Sequence, residues 1–214
     1  MKIGIIGSGD VARALAAGLL RHGHSVRLGT SDPARLAGWK AQHPGAEVGS
    51  FAEAADFAEL AVLAVKGTAA IDAVRLSGPA ALAGKTVIDT CNPIADVPPQ
   101  DGVFSYFTDP NMSLMEALQA EFPALHFVKA FNSVGAGQMV NPQMQGGAPT
   151  MFIAGNDTAA KAQVGTLLTQ LGWETADMGR AAAARAIEPL CMLWCIPGLL
   201  RNEWAHAFKL VRPA

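Results

Sequence analysis

Lys2-Ile3-Gly4-Ile5-Ile6 runs directly into Gly7-Ser8-Gly9-Asp10-Val11-Ala12, and no other passage restricts the fold as strongly. An apolar strand must turn sharply at Gly7, admit something close to the backbone at Gly9, and start a helix tight against the sheet at Ala12. This is the G-x-G-x-x-A arrangement in which backbone N–H groups and the positive end of a helix receive a pyrophosphate. In a chain with 22 glycines the pattern alone is weak, so its setting decides. Val11, Leu15 and Leu19, with Ala12, Ala16 and Leu20 beside them, recur at the helical period and stop near Gly23. Ser25 to Leu28 then reads as a second strand, which places the motif in a compact βαβ unit.

Strand and helix patterns alternate through the rest of the chain. Asp32-Pro33 opens a helix, with Asp32 as N-cap and Pro33 in the first turn. Glu59–Val65 reads as a strand, Thr68–Leu76 as a helix and Lys85–Asp89 as a strand. Residues 92–111, rich in Pro, Asp and Gly, form a long connection of the kind that carries function. Ser113 and Glu116 form a capping box, strands follow at His126–Phe131 and Thr150–Ala154, and Asn156-Asp157 leads into a helix over Thr158–Leu171. Ala181–Phe208 reads as helical, divided by Pro189 and Pro197. The expected fold is α/β: a Rossmann-like, doubly wound, mostly parallel sheet with a small C-terminal helical extension. A nucleotide-binding domain is expected over residues 1–132 and a smaller part, carrying acceptor site and dimer contact, over 133–214.

Composition narrows the partners. Half the residues are hydrophobic, the net charge is -2 and the pI is near 6.2, so no broad basic face is available for nucleic acid or an anionic membrane. Cys91, Cys191 and Cys195 have apolar neighbours and are expected to be free buried thiols in a reducing cytoplasm rather than a disulfide framework or metal site. The N-terminal segment, whose first strand starts at residue 2, is not expected to be a signal peptide, and the apolar run Ile187–Leu200, which contains Glu188, Pro189 and Pro197, is expected to be too short to span a bilayer. It is expected to pack on the body of the protein or on a second subunit.

At the end of the second strand, where an Asp or Glu would bind the ribose hydroxyls of NAD, the chain has Gly29-Thr30-Ser31, with Arg35 a turn later. Two hydroxyls and a guanidinium at a helix start suit a 2'-phosphate, hence NADP(H). Asp32 dissents, though its place before Pro33 favours capping.

With these pieces placed, the chain resembles the NADPH-dependent deazaflavin (coenzyme F420) reductases. The carriers are Gly7-Ser8-Gly9-Asp10-Val11, Gly29-Thr30-Ser31, Ala64-Val65-Lys66-Gly67, Cys91-Asn92-Pro93, Lys129-Ala130-Phe131-Asn132 and Glu188-Pro189-Leu190. The Lys-Ala-Phe-Asn strand end is also similar to that of the cytosolic domains of the six-transmembrane metalloreductases. The resemblance implies that Gly7, Ser8, Gly9, Asp10 and Val11 hold the pyrophosphate and that Thr30, Ser31 and Arg35 hold the 2'-phosphate. It implies further that Val65, Lys66, Asn92 and Ala136 line the ribose and nicotinamide, and that Pro93 and Asn132 face the acceptor. Thr30-Ser31 replaces the Ser-Arg pair of archaeal members, and Asn132 stands where those members have histidine.

Hydride transfer between stacked rings asks for positioning rather than acid–base work. No Ser-His-Asp arrangement, paired carboxylates or metal cluster is legible, and no catalytic residue is assigned. His22 and His24 read as surface groups and His126 as structural. Lys66 and Lys129 each read either as an electrostatic partner for an anionic acceptor or as a solvated strand-end charge. Glu188 reads as a first-turn helix residue or a buried carboxylate, and the loop of Tyr106 as a cover for the acceptor. The favoured function is an NADPH-dependent oxidoreductase passing hydride to a deazaflavin or flavin-like acceptor, dimeric through its C-terminal helices. The alternatives are a non-catalytic NADPH-binding sensor and an imine reductase resembling pyrroline-5-carboxylate reductases.

Overall fold

The apolar runs Ile3–Ile6, Leu60–Leu63 and Thr86–Asp89 are covered on both faces, as central strands of a parallel sheet must be. The computed structural model describes residues 1–213. In chain order its strands are β1 (Lys2–Ile6), β2 (Ser25–Gly29), β3 (Ala46–Gly49), β4 (Leu60–Leu63), β5 (Thr86–Asp89), β6 (His126–Lys129), β7 (Thr150–Gly155) and β8 (Glu174–Asp177). Its helices are α1 (Asp10–Arg21), α2 (Ala37–Gln42), α3 (Phe51–Phe57), α4 (Ala70–Leu76), α5 (Leu114–Glu121), α6 (Thr158–Gln170), α7 (Ala184–Ile187) and α8 (Pro189–Arg201). One sheet contains all the strands in the order β3-β2-β1-β4-β5-β6-β7-β8. Only β6 and β7 pair antiparallel; the other neighbours are parallel. This is the Rossmann-like doubly wound fold expected from the sequence.

Alternation along the strands divides the core. Ile3, Ile5, Leu28, Val62 and Val128 pack with Leu15 and Leu19 of α1 and Val164 and Leu168 of α6. Ile6, Leu63, Val87 and Phe127 pack on the other face with Val74 of α4 and Leu118 of α5. The chain leaves β1 outward through β2 and β3, then returns to β4 on β1's other side. Open α/β sheets bind ligands at such a reversal, beyond the carboxyl ends of the strands.

Four elements depart from the sequence reading. β3 with α3, and β8, were not anticipated, and the C-terminal helical segment ends at Arg201 rather than Phe208. Asn202 adopts a left-handed conformation there (φ 58°) and its N–H bonds to the Gly198 carbonyl. Pro189 occupies the first turn of α8, and Pro197 lies inside the helix without ending it. The helical run Ala181–Arg201 is thus longer than the apolar stretch suggested. It is long and apolar enough to cross a bilayer by length and composition alone, yet Glu188 within it is only 1% exposed and tied to Lys129 of β6.

The α5 capping box forms as expected: the Glu116 N–H donates to Ser113 Oγ and the Ser113 N–H to Glu116 Oε2. Arg185, on α7, donates through Nε and Nη2 to the same carboxylate. This guanidinium holds the Glu116 carboxyl down to about 2, below its ordinary 4.5. A depressed folded-state value gives stability that is full above pH 4.5 and is lost as pH falls from there towards 2. Arg185→Gln is therefore expected to lose thermal stability near neutral pH and to converge on the parent below about pH 3, a window set by linkage. Melting curves from neutral pH to pH 3 check this; a constant gap between the two proteins would contradict it.

Candidate active site

The carboxyl ends of β1, β4 and β5 open into a cavity of about 670 Å³. Its walls include Gly7, Ser8, Gly9, Asp10, Val11, Ser31, Val65, Lys66 and Asn92. Gly7 has φ 140°, and a Cβ there would overlap the Ala64 carbonyl oxygen, so only glycine allows the turn off β1 so close to the loop after β4. Gly9 answers to a different requirement. It occupies the N-cap of α1 without any side-chain cap, and a Cβ built on it would meet nothing within 4 Å. The first-turn N–H groups of a twelve-residue helix therefore face open space, an arrangement that fits the pyrophosphate of a dinucleotide.

At the end of β2 the predicted residues divide. Ser31 is exposed and reaches the cavity wall, whereas Thr30 is 4% exposed. Thr30 Oγ1 donates to Ser8 Oγ at 3.2 Å and accepts from the Asp32 N–H at 3.2 Å, linking this turn to the glycine turn. Asp32 Oδ1 accepts from the Ala34 N–H, so it caps the helical turn as expected. Arg35 is exposed on that turn and stands outside the cavity wall. Ala136 borders a second cavity with Gly135, Gly137, Trp194 and Trp204 instead of this one.

Asn92 and Asn132 meet across the ends of β5 and β6. Asn92 Nδ2 donates to the Asn132 carbonyl at 2.8 Å, and Asn132 Nδ2 donates to Asn92 Oδ1 at 3.1 Å and to the Ile187 carbonyl at 2.9 Å. Asn92 borders the cleft; Asn132 and Pro93 lie buried behind it. Tyr106 also turns inward, donating its hydroxyl to the Glu188 carbonyl at 2.7 Å.

Lys129 corrects the reading of a strand-end charge at the cleft. It is fully buried, with Nζ 2.7 Å from Asp89 Oδ2 and 2.8 Å from Glu188 Oε1, and it donates to the Cys91 carbonyl at 2.8 Å. Asp89 Oδ1 accepts from the Cys91 N–H. Glu188 also accepts from the N–H groups of Leu114 and Met115 at the start of α5, so it is the buried carboxylate and not a solvated first-turn residue. The two carboxylates overcome the burial penalty on the Lys129 ammonium and raise its pKa. The network fixes the backbone at Cys91, one residue before Asn92.

Phe51, Thr90 and Asp96 also line the cleft, and sequence reasoning missed them. Phe51 opens α3 directly after the unanticipated β3, and Thr90 Oγ1 donates to the Leu63 carbonyl, joining the ends of β4 and β5. The only sequence signal for Phe51 and Thr90 was position just after a strand, and Asp96 lay unmarked in the 92–111 loop. His22 and His24 are also less exposed than read, bonding to the side chains of Asn141 and Gln170. The three cysteines are free and buried, and no metal-ligating cluster occurs among the described residues.

The family model described as NADP oxidoreductase, coenzyme F420-dependent, matches residues 2–93, the stretch that builds most of this cleft. A crystal structure from Arthrobacter sp. FB24, described as a candidate F420-dependent NADP-reductase, superposes with a TM-score of 0.93 at 36% identity, covering 99% of this chain and 100% of that one. The chain belongs to the coenzyme F420-dependent NADP oxidoreductase family. It is an NADP-binding oxidoreductase domain. Metalloreductase STEAP3 of Rattus norvegicus is 34% identical over 204 residues, which is 93% of this chain and 39% of that protein. The chain thus spans about two fifths of the length of this relative. An imine reductase of Streptomyces aurantiacus, 18% identical with a TM-score of 0.68, covers 94% of this chain and 63% of its own, a likeness of fold alone.

Proposed function

We propose that this protein is an NADPH-dependent reductase that passes hydride to a deazaflavin or flavin-like acceptor in the cleft above β1, β4 and β5. The observation that carries the reading is the joining of two subsites in one cavity: the uncapped N-terminus of α1 at Gly9, and the apolar and amide surface of Val65 and Asn92. When bound, the nicotinamide supplies two electrons and a proton as hydride, and the acceptor takes its remaining proton from solvent.

The chain's part is positioning. Backbone N–H groups from Gly9 to Val11, with Ser8, receive the pyrophosphate. Ser31 and Arg35 face the 2'-phosphate, while Thr30 acts from beneath by orienting Ser8. Val65 and Asn92 flank the nicotinamide ribose and ring, with Lys66 at the mouth of the cavity, while Ala136 borders the neighbouring cavity. Asn132 and Pro93 stabilise Asn92 and the acceptor side. The exposed apolar side chains Leu193, Leu199, Leu200 and Trp204, on and just after α8, are the surface through which a homodimer would assemble, and three free thiols suit a reducing cytoplasm.

Anaerobic NADPH oxidation tests the reading, with deazaflavin coenzyme, FMN or no acceptor in parallel and NADH as control. Turnover that needs both NADPH and a flavin-type acceptor is expected. Tight NADPH binding with no turnover on either acceptor would replace it with the sensor reading, and preference for NADH would remove the 2'-phosphate site.

A further inference from the structure

Lys66 is the single lysine or arginine among the described residues that line the cleft, which also carries two carboxylates. Asp10 is engaged by Arg13 at 2.6 Å. Asp96, on the long loop after β5, holds Lys66 Nζ at 3.2 Å. The pair joins the loops after β4 and β5 at the mouth of the cavity, and both side chains are largely exposed, at 79% and 67%. An ion pair so exposed is weak and exchanges partners readily.

Its position decides what can reach it. Ser31 and Arg35 sit at the end of β2, two strands from β4, a separation of about 10 Å. The 2'-phosphate end of a dinucleotide lies there, and the α1 terminus takes the pyrophosphate. Lys66 and Asp96 stand on the remaining side, where the acceptor must enter. Since Lys129 is buried and fully committed to Asp89 and Glu188, it leaves Lys66 as the charge available to an incoming acceptor.

We propose that Lys66 and Asp96 together read the charge of the acceptor and select one whose ring carries an anionic side chain, a phosphate or a carboxylate. Such a group displaces Asp96 from Lys66, whereas a neutral acceptor gains nothing from Lys66 and meets the Asp96 carboxylate. Asp96 thus acts as a resident competitor that sets how anionic the acceptor must be. The inference rests on the flavin-type acceptor proposed above and names its charge class.

Riboflavin and FMN share one ring and differ by a phosphate, so the ratio of their affinities isolates the effect. Flavin fluorescence quenching on NADP+-saturated protein at low salt measures it without requiring turnover. The parent is expected to prefer FMN about 5-fold, the scale of one exposed charge contact. Lys66→Met should bring the ratio to about 1 and Asp96→Asn should raise it above the parent's, with added salt erasing both effects. An unchanged ratio in Lys66→Met would overturn the proposal, as would a loss of NADP+ affinity in that variant equal to its loss of FMN affinity. Equal binding of the two flavins by the parent would sink the charge reading alone. Binding of NADP+ with neither flavin would sink the flavin-type acceptor as well.

Discussion

Lys129→Met is expected to destabilise the protein by about 3–5 kcal/mol, the cost of leaving buried carboxylates without their counter-charge. The ammonium is fully buried and serves Asp89, Glu188 and the Cys91 carbonyl at once. Methionine fills a similar volume, so the loss is electrostatic and not a cavity effect. For a domain of this size the melting temperature should fall by roughly 10 °C. Adding Asp89→Asn and Glu188→Gln, which removes the stranded charges, should recover part of it. Scanning calorimetry of the parent, single and triple variants decides the matter. A drop of less than about 2 °C in the single variant would mean that water reaches this site, contrary to the burial argument.

Gly9→Val should have the opposite profile, with the fold retained and the nucleotide lost. A Cβ at Gly9 meets no neighbour within 4 Å, and its backbone is extended with φ near -76°, so valine is admitted without strain. The added methyl groups occupy the space through which a pyrophosphate would approach the α1 N–H groups. NADPH affinity is expected to fall about 100-fold, close to 3 kcal/mol, with a melting temperature within a degree or two of the parent in the absence of nucleotide. At Gly7, by contrast, even alanine would overlap the Ala64 carbonyl at a φ of 140°, so Gly7→Ala should unfold before its binding can be assessed. Paired calorimetry and fluorescence titration separate the two glycines. Retention of NADPH affinity in Gly9→Val would move the phosphate site elsewhere.

The central strands were legible because a buried parallel strand is written as a continuous apolar run, and Ile3–Ile6 and Leu60–Leu63 are such runs. β3 and β8 lie at the two edges of the sheet, where Ala46-Glu47-Val48-Gly49 and Glu174-Thr175-Ala176-Asp177 carry little apolar pattern. Edge strands are held mainly by backbone pairing, and any side chain can supply that. Missing β3 also concealed Phe51. The glycine turn and Ser31 were found because local sequence determines a turn. Lys129 could not be placed from sequence, because its burial depends on Asp89 and Glu188, which come from elsewhere in the chain and meet it only in the fold. Asp96 escaped for the same reason: nothing local marks an aspartate as the partner of Lys66.

The contacts of Glu188 also set an order of events for a chain emerging from the ribosome. The start of α5 presents the Leu114 and Met115 N–H groups, and the side chain that accepts from both arrives 74 and 73 residues later. Until it does, Lys129 has only Asp89 as a buried counter-charge, and that face of the sheet lacks the cover of α7. Closure of so long a loop is slow compared with local helix formation. The nucleotide-binding half therefore has to wait, partly open, until residue 188 has been synthesised before its core can seal.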